Sequence, residues 1–240
     1  MLERIFNAPE ELKDLAFQSL LVPRYTRTYH EGIFRDSTGG HTLRCIDKAD
    51  TLNIKQADKV IITDKLWSHD LAEVVTSDFS AIHKQNDPKL KRMLFERELE
   101  AIRTYIPEKY KPHVYDFIEA ERFWDGSIYS KLPTPHALVA KTIDHTDGNV
   151  FFHKALASWV SSDEYNPDYL PSKDSLRYTF VNYHKYMERL SSPVKPFGQF
   201  YEVILNLLND EIVKIAGFWS GVKEQKQPEI IIKDLRTIIN

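Results

Sequence analysis

Apolar residues recur at helical spacing along nearly the whole chain. Leu43, Ile46, Ala49 and Leu52 mark one helix, with Ser37 or Thr38 available as its N-cap. The stretch Val60 through Val75 is apolar on almost every side and predicts a buried central helix, so its polar positions carry the information. Asp87-Pro88 supplies an N-cap followed by proline at the first helical position, and Pro107 ends the helix that carries Leu90, Met93, Leu94, Ile102 and Ile106. A further helix is predicted over Tyr110–Phe123, then a turn-rich loop over Trp124–Pro135, then a helix from His136 to about Trp159. Residues 161–173 hold Asn166-Pro167 and Pro171, the best candidate boundary in the chain. Helical patterns resume at 174–190, 197–223 and 228–239, with Phe197, Phe200, Ile204, Leu208, Ile212 and Ile215 facing the core. The predicted fold class is all-α, a core over 1–160 with an additional C-terminal helical layer over 161–240.

Composition narrows the function without naming it. The 240 residues are 42% hydrophobic and 28% charged, ordinary for a globular chain that can bury a full core. Only 8 glycines occur, and neither GxGxxG nor GxxxxGK[ST] is present, which argues against a Rossmann or P-loop protein. A net charge of -3 excludes a protein that grips polyphosphate backbones by bulk charge, so no nucleic-acid polymer is expected as a partner. It leaves room for a small phosphorylated ligand. The one cysteine, Cys45, permits neither an internal disulfide nor a thiolate zinc cage, and it reads as core. The first residues lack the apolar run of a signal peptide, and no stretch reaches the roughly 18 apolar residues of a membrane span. A cytoplasmic protein with no membrane partner is expected.

The chemistry lies in Leu66-Trp67-Ser68-His69-Asp70-Leu71-Ala72-Glu73-Val74-Val75, which puts three ionisable groups inside an apolar segment. Buried charges are normally paired or bound to a metal, because an isolated one costs several kcal/mol. On a continuous helix His69 and Glu73 share a face, and Asp70 lies about 100° round. The plain alternative is a His–Asp ion pair that anchors neighbouring helices. Two more candidates change the balance: His41 on the preceding helix and Asp144 inside the apolar helix from Leu138 to Phe152. Together His41, His69, Asp70 and Asp144 form an N2O2 set suited to one divalent transition metal ion (Mn, Co, Fe, Ni or Zn).

The order His41 … His69-Asp70 … Asp144 resembles the metal signature of the HD-domain phosphohydrolase superfamily. The string His69-Asp-Leu-Ala-Glu73-Val-Val-Thr-Ser-Asp78 is similar to the HD-x-x-E-V-x-T-x-D segment of its bacterial 5'-deoxynucleotidase branch. Arg24-Tyr25 and Lys141-Thr-Ile-Asp144 resemble two flanking motifs of that branch, and the likeness covers roughly residues 15 to 155. The chain has Gly40-His41-Thr42 where the family has Glu-His-Ser, and Thr76-Ser77-Asp78 where it has Thr-Gly-Asp.

The resemblance implies an HD-domain helical bundle with His41, His69, Asp70 and Asp144 as metal ligands and Glu73 as the catalytic acid/base. It implies that Arg24 grips a phosphate (Arg27 being an alternative), that Tyr25 lies against sugar or base, and that Asp78 accepts from a 3'-hydroxyl. A solvated arginine, a core tyrosine and a turn cap are the respective structural alternatives. The implied activity is hydrolysis of deoxyribonucleoside 5'-monophosphates to nucleoside and phosphate, with a homodimer as the expected assembly. Hydrolysis of deoxynucleoside triphosphates is the alternative, for which Lys84, Lys89, Lys91 and Arg92 are the nearby cations. A non-catalytic nucleotide-binding module is the other. His145 and Asp147, beside Asp144, point round the helix and are expected at the surface or behind the ligands. His30, His83, His113, His136, His153 and His184 lack partner spacing and are expected to be structural or exposed.

Overall fold

The computed structural model describes residues 2–24, 33, 35–78, 87–127, 129–193 and 195–239. The fold is all-α; among the described residues there is no strand, and the extended pairing is an isolated antiparallel bridge between Pro23 and Ser37. Short 3-10 turns at the N-terminus lead into α1 (Lys13–Ser19), α2 (Thr38–Thr51), α3 (Gln56–Ser68) and the single turn α4 (Glu73–Thr76). Then come α5 (Pro88–Tyr105), α6 (Lys111–Asp125), α7 (Pro135–Ser161), α8 (Lys173–Ser191), α9 (Tyr201–Ser220) and α10 (Glu229–Ile239).

Local chemistry sets the helix starts. Ser37 Oγ accepts from Gly40 N at 3.0 Å and caps α2. Asp87 caps α5 through Lys89 N and Leu90 N, with Pro88 following as predicted. Thr134 caps α7 by accepting from Ala137 N, which places Pro135 at the first helical position rather than in a loop. At the other end of α6, Gly126 takes a positive φ of 73°, the left-handed conformation that ends a helix.

The central helix is α7, not the segment 60–75. Ala137, Leu138, Val139 and Ala140 are buried in succession, so the first turns of α7 are covered all round, and beyond them one face stays buried as far as Val160. It packs against α2, α3 and α6, and α9 runs along it. Val60 and Ile61 of α3 are instead 51% and 37% exposed. One hydrophobic cluster runs from Ile5 to Leu235 and includes Phe197, Phe200, Ile204, Leu208, Ile212 and Ile215. No helix among the described residues is long and apolar enough to cross a membrane.

The predicted helix over 60–75 also breaks at Ser68. Ser68 Oγ bonds back to Asp64 O and Lys65 O, and His69 Nδ1 donates to Leu66 O at 2.8 Å. Side chains thus occupy the carbonyls that the next turn would use. The backbone tightens instead to three-residue spacing, with Glu73 N on Asp70 O and Val74 N on Leu71 O. Ser77 closes α4 with φ 66° and ψ 155°, and its N–H reaches Glu73 O at 2.7 Å.

Candidate metal centre

Three elements bring His41, His69, Asp70 and Asp144 to one point. His41 sits one turn into α2, His69-Asp70 at the broken end of α3, and Asp144 on the buried stretch of α7. One potential ligand atom from each of the four lies within 4.8 Å of the others. His41 Nε2 is 2.8 Å from Asp144 Oδ1 and 3.9 Å from Asp70 Oδ2. His69 Nε2 is 3.0 Å from Asp70 Oδ2 and 3.6 Å from Asp144 Oδ1, yet it is buried and aligned for a hydrogen bond with neither. A buried imidazole nitrogen without a hydrogen bond is costly unless something else takes its lone pair.

The electrostatics demand positive charge at this point. Burial opposes the charge on His69, but Asp70 and Asp144 outweigh it and push His69 up to about 10. Burial equally opposes the Asp70 carboxylate, and His69 overcomes it, holding Asp70 well below the usual range. For Asp144 the opposing cation is Lys141, whose Nζ lies 2.8 Å from Oδ2, followed by the two histidines. Two carboxylates facing two imidazoles hold either a proton or a cation, and a cation would displace the proton on binding. Two nitrogen and two oxygen donors fit a borderline divalent ion, which would take the place of the proton that His69 shares with the two carboxylates.

Glu73 lies at the same end of α2 as the cluster: its Oε2 accepts from Thr38 Oγ1 at 2.9 Å, one turn before His41. Arg24 and Asp78 are neighbours, with Nε to Oδ2 at 3.9 Å and both largely covered, so neither is a solvated surface group. Arg24 N donates to Asp36 O, and a Cβ added at Gly148 would stand 3.9 Å from Arg24 Nη2, which places the guanidinium over α7 at Gly148, one turn beyond Asp144. Tyr25, Arg27, His30, His83 and Lys84 lie outside the described residues.

Arg44 was not singled out in the sequence, Thr38 was read only as a cap, and of the two placements expected for Asp147 the one behind the ligands is found. Asp147 meets His41, Arg44 meets Asp147, and Thr38 meets Glu73. The signal was there in part: His41-x-x-Arg44 on α2 and Asp144-x-x-Asp147 on α7 have matching three-residue spacing, which lets two facing helices exchange two ion pairs. His145 is not at the surface, since its ring stacks on Tyr186 at 4.5 Å and burial pushes it down to about 3. His136 pairs with Asp58, His153 Nδ1 accepts from Trp219 Nε1, and Cys45 is fully buried, as core placement requires. Comparison of the chain with protein-family models, with curated proteins and with solved structures returns no match.

Proposed function

We propose that the protein is a metal-dependent phosphohydrolase of the HD-domain kind, acting on deoxyribonucleoside 5'-monophosphates. The observation that carries this reading is the convergence of His41, His69, Asp70 and Asp144 with His69 Nε2 buried and without a hydrogen bond. A divalent ion bound by these four would make a water more acidic and offset charge developing on the phosphoryl oxygens. Glu73, steadied by Thr38, takes the proton from the attacking water and returns it to the leaving 5'-oxygen, so that nucleoside and phosphate are the products. Arg24 offers a planar fork to the phosphate, and Asp78 beside it accepts from the sugar hydroxyl. Lys141 keeps Asp144 ionised and in place.

Backbone geometry adds support. Ser77 adopts φ 66° and ψ 155°, a glycine conformation, at the position where the resembled motif carries glycine.

The test is purified protein with Mn²⁺ or Co²⁺, offered dAMP, AMP, dATP and ppGpp, with phosphate, pyrophosphate and tripolyphosphate measured separately. Phosphate from dAMP, lost in His69→Ala, is the expected result. Tripolyphosphate from dATP as the main product would move the assignment to a triphosphate hydrolase. Full activity in His69→Ala would remove the metal centre from the mechanism.

A further inference from the structure

His41 is held from both sides. Its Nε2 faces the Asp144, Asp70 and His69 cluster, and its Nδ1 lies 2.8 Å from Asp147 Oδ2. Asp147 is itself gripped: Arg44 Nε donates to both of its oxygens at 3.1 Å, and Arg44 Nη2 donates to Oδ2 at 2.9 Å. Arg44 is anchored in turn by two donations to Asp36, Nη1 to Oδ1 at 2.9 Å and Nη2 to Oδ2 at 2.8 Å. The result is a chain Asp36–Arg44–Asp147–His41 leading from the Pro23–Ser37 bridge to the cluster. The Asp147 carboxylate can only accept and the Arg44 guanidinium can only donate, so the polarity of the chain is fixed. The Nδ1 of His41 must carry hydrogen.

Resting on the metal-centre reading above, we propose that Asp147 is a positioning residue: it locks His41 as the Nδ1–H tautomer, leaving the Nε2 lone pair for the cation, and Arg44 with Asp36 holds Asp147 in place. A metal-ligating imidazole that donates its other N–H to a carboxylate is both oriented and made more basic. His41, Cys45 and Asp147 also lie close enough to hold an ion on the other side of the ring. The Arg44 guanidinium on Asp147 opposes that choice, because a cation there would sit against a fixed positive charge.

The experiment uses the full chain, wild type against Asp147→Asn and Arg44→Lys. Mn²⁺ affinity is measured by calorimetry, the Co²⁺ absorption spectrum is recorded, and the melting temperature of the metal-free protein monitors folding. Asn keeps the shape but faces His41 or Arg44 with a donor, so Mn²⁺ affinity falls about 10- to 100-fold and the Co²⁺ bands shift. Arg44→Lys replaces the forked grip by a single point charge and gives a smaller loss in the same direction. Long-range ¹H–¹⁵N spectra of the Zn²⁺-loaded wild type show His41 protonated at Nδ1 and ligated through Nε2. Wild-type affinity and an unchanged Co²⁺ spectrum in Asp147→Asn would overturn the positioning role, as would ligation through Nδ1. Absence of any metal binding by the wild type would instead overturn the centre itself.

Discussion

Glu211 on α9 is only 1% exposed, and burial pushes its carboxyl up to about 8. Its Oε1 accepts from Asn149 Nδ2 at 2.6 Å across the α7–α9 contact, while Oε2 has no hydrogen-bond partner among the described residues. Asn149 cannot turn to help, since Nδ2 also donates to His145 Nε2 at 2.9 Å. The folded protein therefore keeps a proton that the unfolded chain releases above about pH 4.5. This contribution to stability is fully present below that value and is lost as pH rises toward the folded value, at about 1.4 kcal/mol per pH unit. At pH 7 the cost of keeping Glu211 neutral is roughly 3 kcal/mol. Glu211→Gln retains the acceptor for Asn149 and never ionises. Its own unpaired amide costs about 1 kcal/mol at any pH. The stability difference between variant and parent should then rise by about 4 kcal/mol between pH 5 and pH 8, three pH units at about 1.4 kcal/mol each. His145 and His153, pushed down to about 3 by burial, are present in both proteins and drop out of the comparison. Urea unfolding of the metal-free proteins at pH 5, 6, 7 and 8, followed by circular dichroism, measures it. Parallel pH profiles for the two proteins would refute the buried neutral carboxyl.

Ser77→Gly should raise stability by about 1 kcal/mol or more, because φ 66° with ψ 155° is a region that side-chain-bearing residues enter only under strain; a thermal melt at or below that of the parent would contradict this. The Lys65–Asp116 pair, 2.7 Å apart and both buried, ties α3 to α6, and Asp116 also accepts from Thr134 N at the cap of α7. Lys65→Met should cost about 3–5 kcal/mol by stranding the carboxylate, and adding Asp116→Leu should restore part of the loss; denaturant titrations of the two singles and the double give the coupling. Saturating Mn²⁺ should raise the melting temperature of the wild type and leave that of His69→Ala unchanged, as expected when a ligand binds only the folded state.

Much of the fold could be read from local chemistry alone. The caps at Ser37 and Asp87, the proline stop at Pro107 and the helical spacing from Phe197 to Ile215 are short-range signals, and each acts within a few residues of where it stands. The same holds for the histidines and aspartates of the centre, whose residue types mark them out in an apolar setting. The identity of the central helix could not be read so simply. Segments 60–75 and 135–161 are both strongly apolar, and which one is enclosed depends on what packs against it. The break at Ser68 escaped periodicity for a similar reason. It arises from Ser68 and His69 side chains taking backbone carbonyls, a competition that hydrophobic spacing does not register.

The sequence by itself determined an all-α chain and marked out the four side chains that converge, because helix periodicity and an ionisable group in an apolar run are properties of neighbouring residues. Only the tertiary structure decided that Asp147, set aside with His145, stands behind His41 with Arg44 and Asp36, and that Arg24 is covered rather than solvated. The contacts of Asp147 with His41 and Arg44 join positions 106 and 103 residues apart. They depend on how α2 and α7 face each other, and hydrogen bonds act only over about 3 Å, a separation that no local pattern encodes.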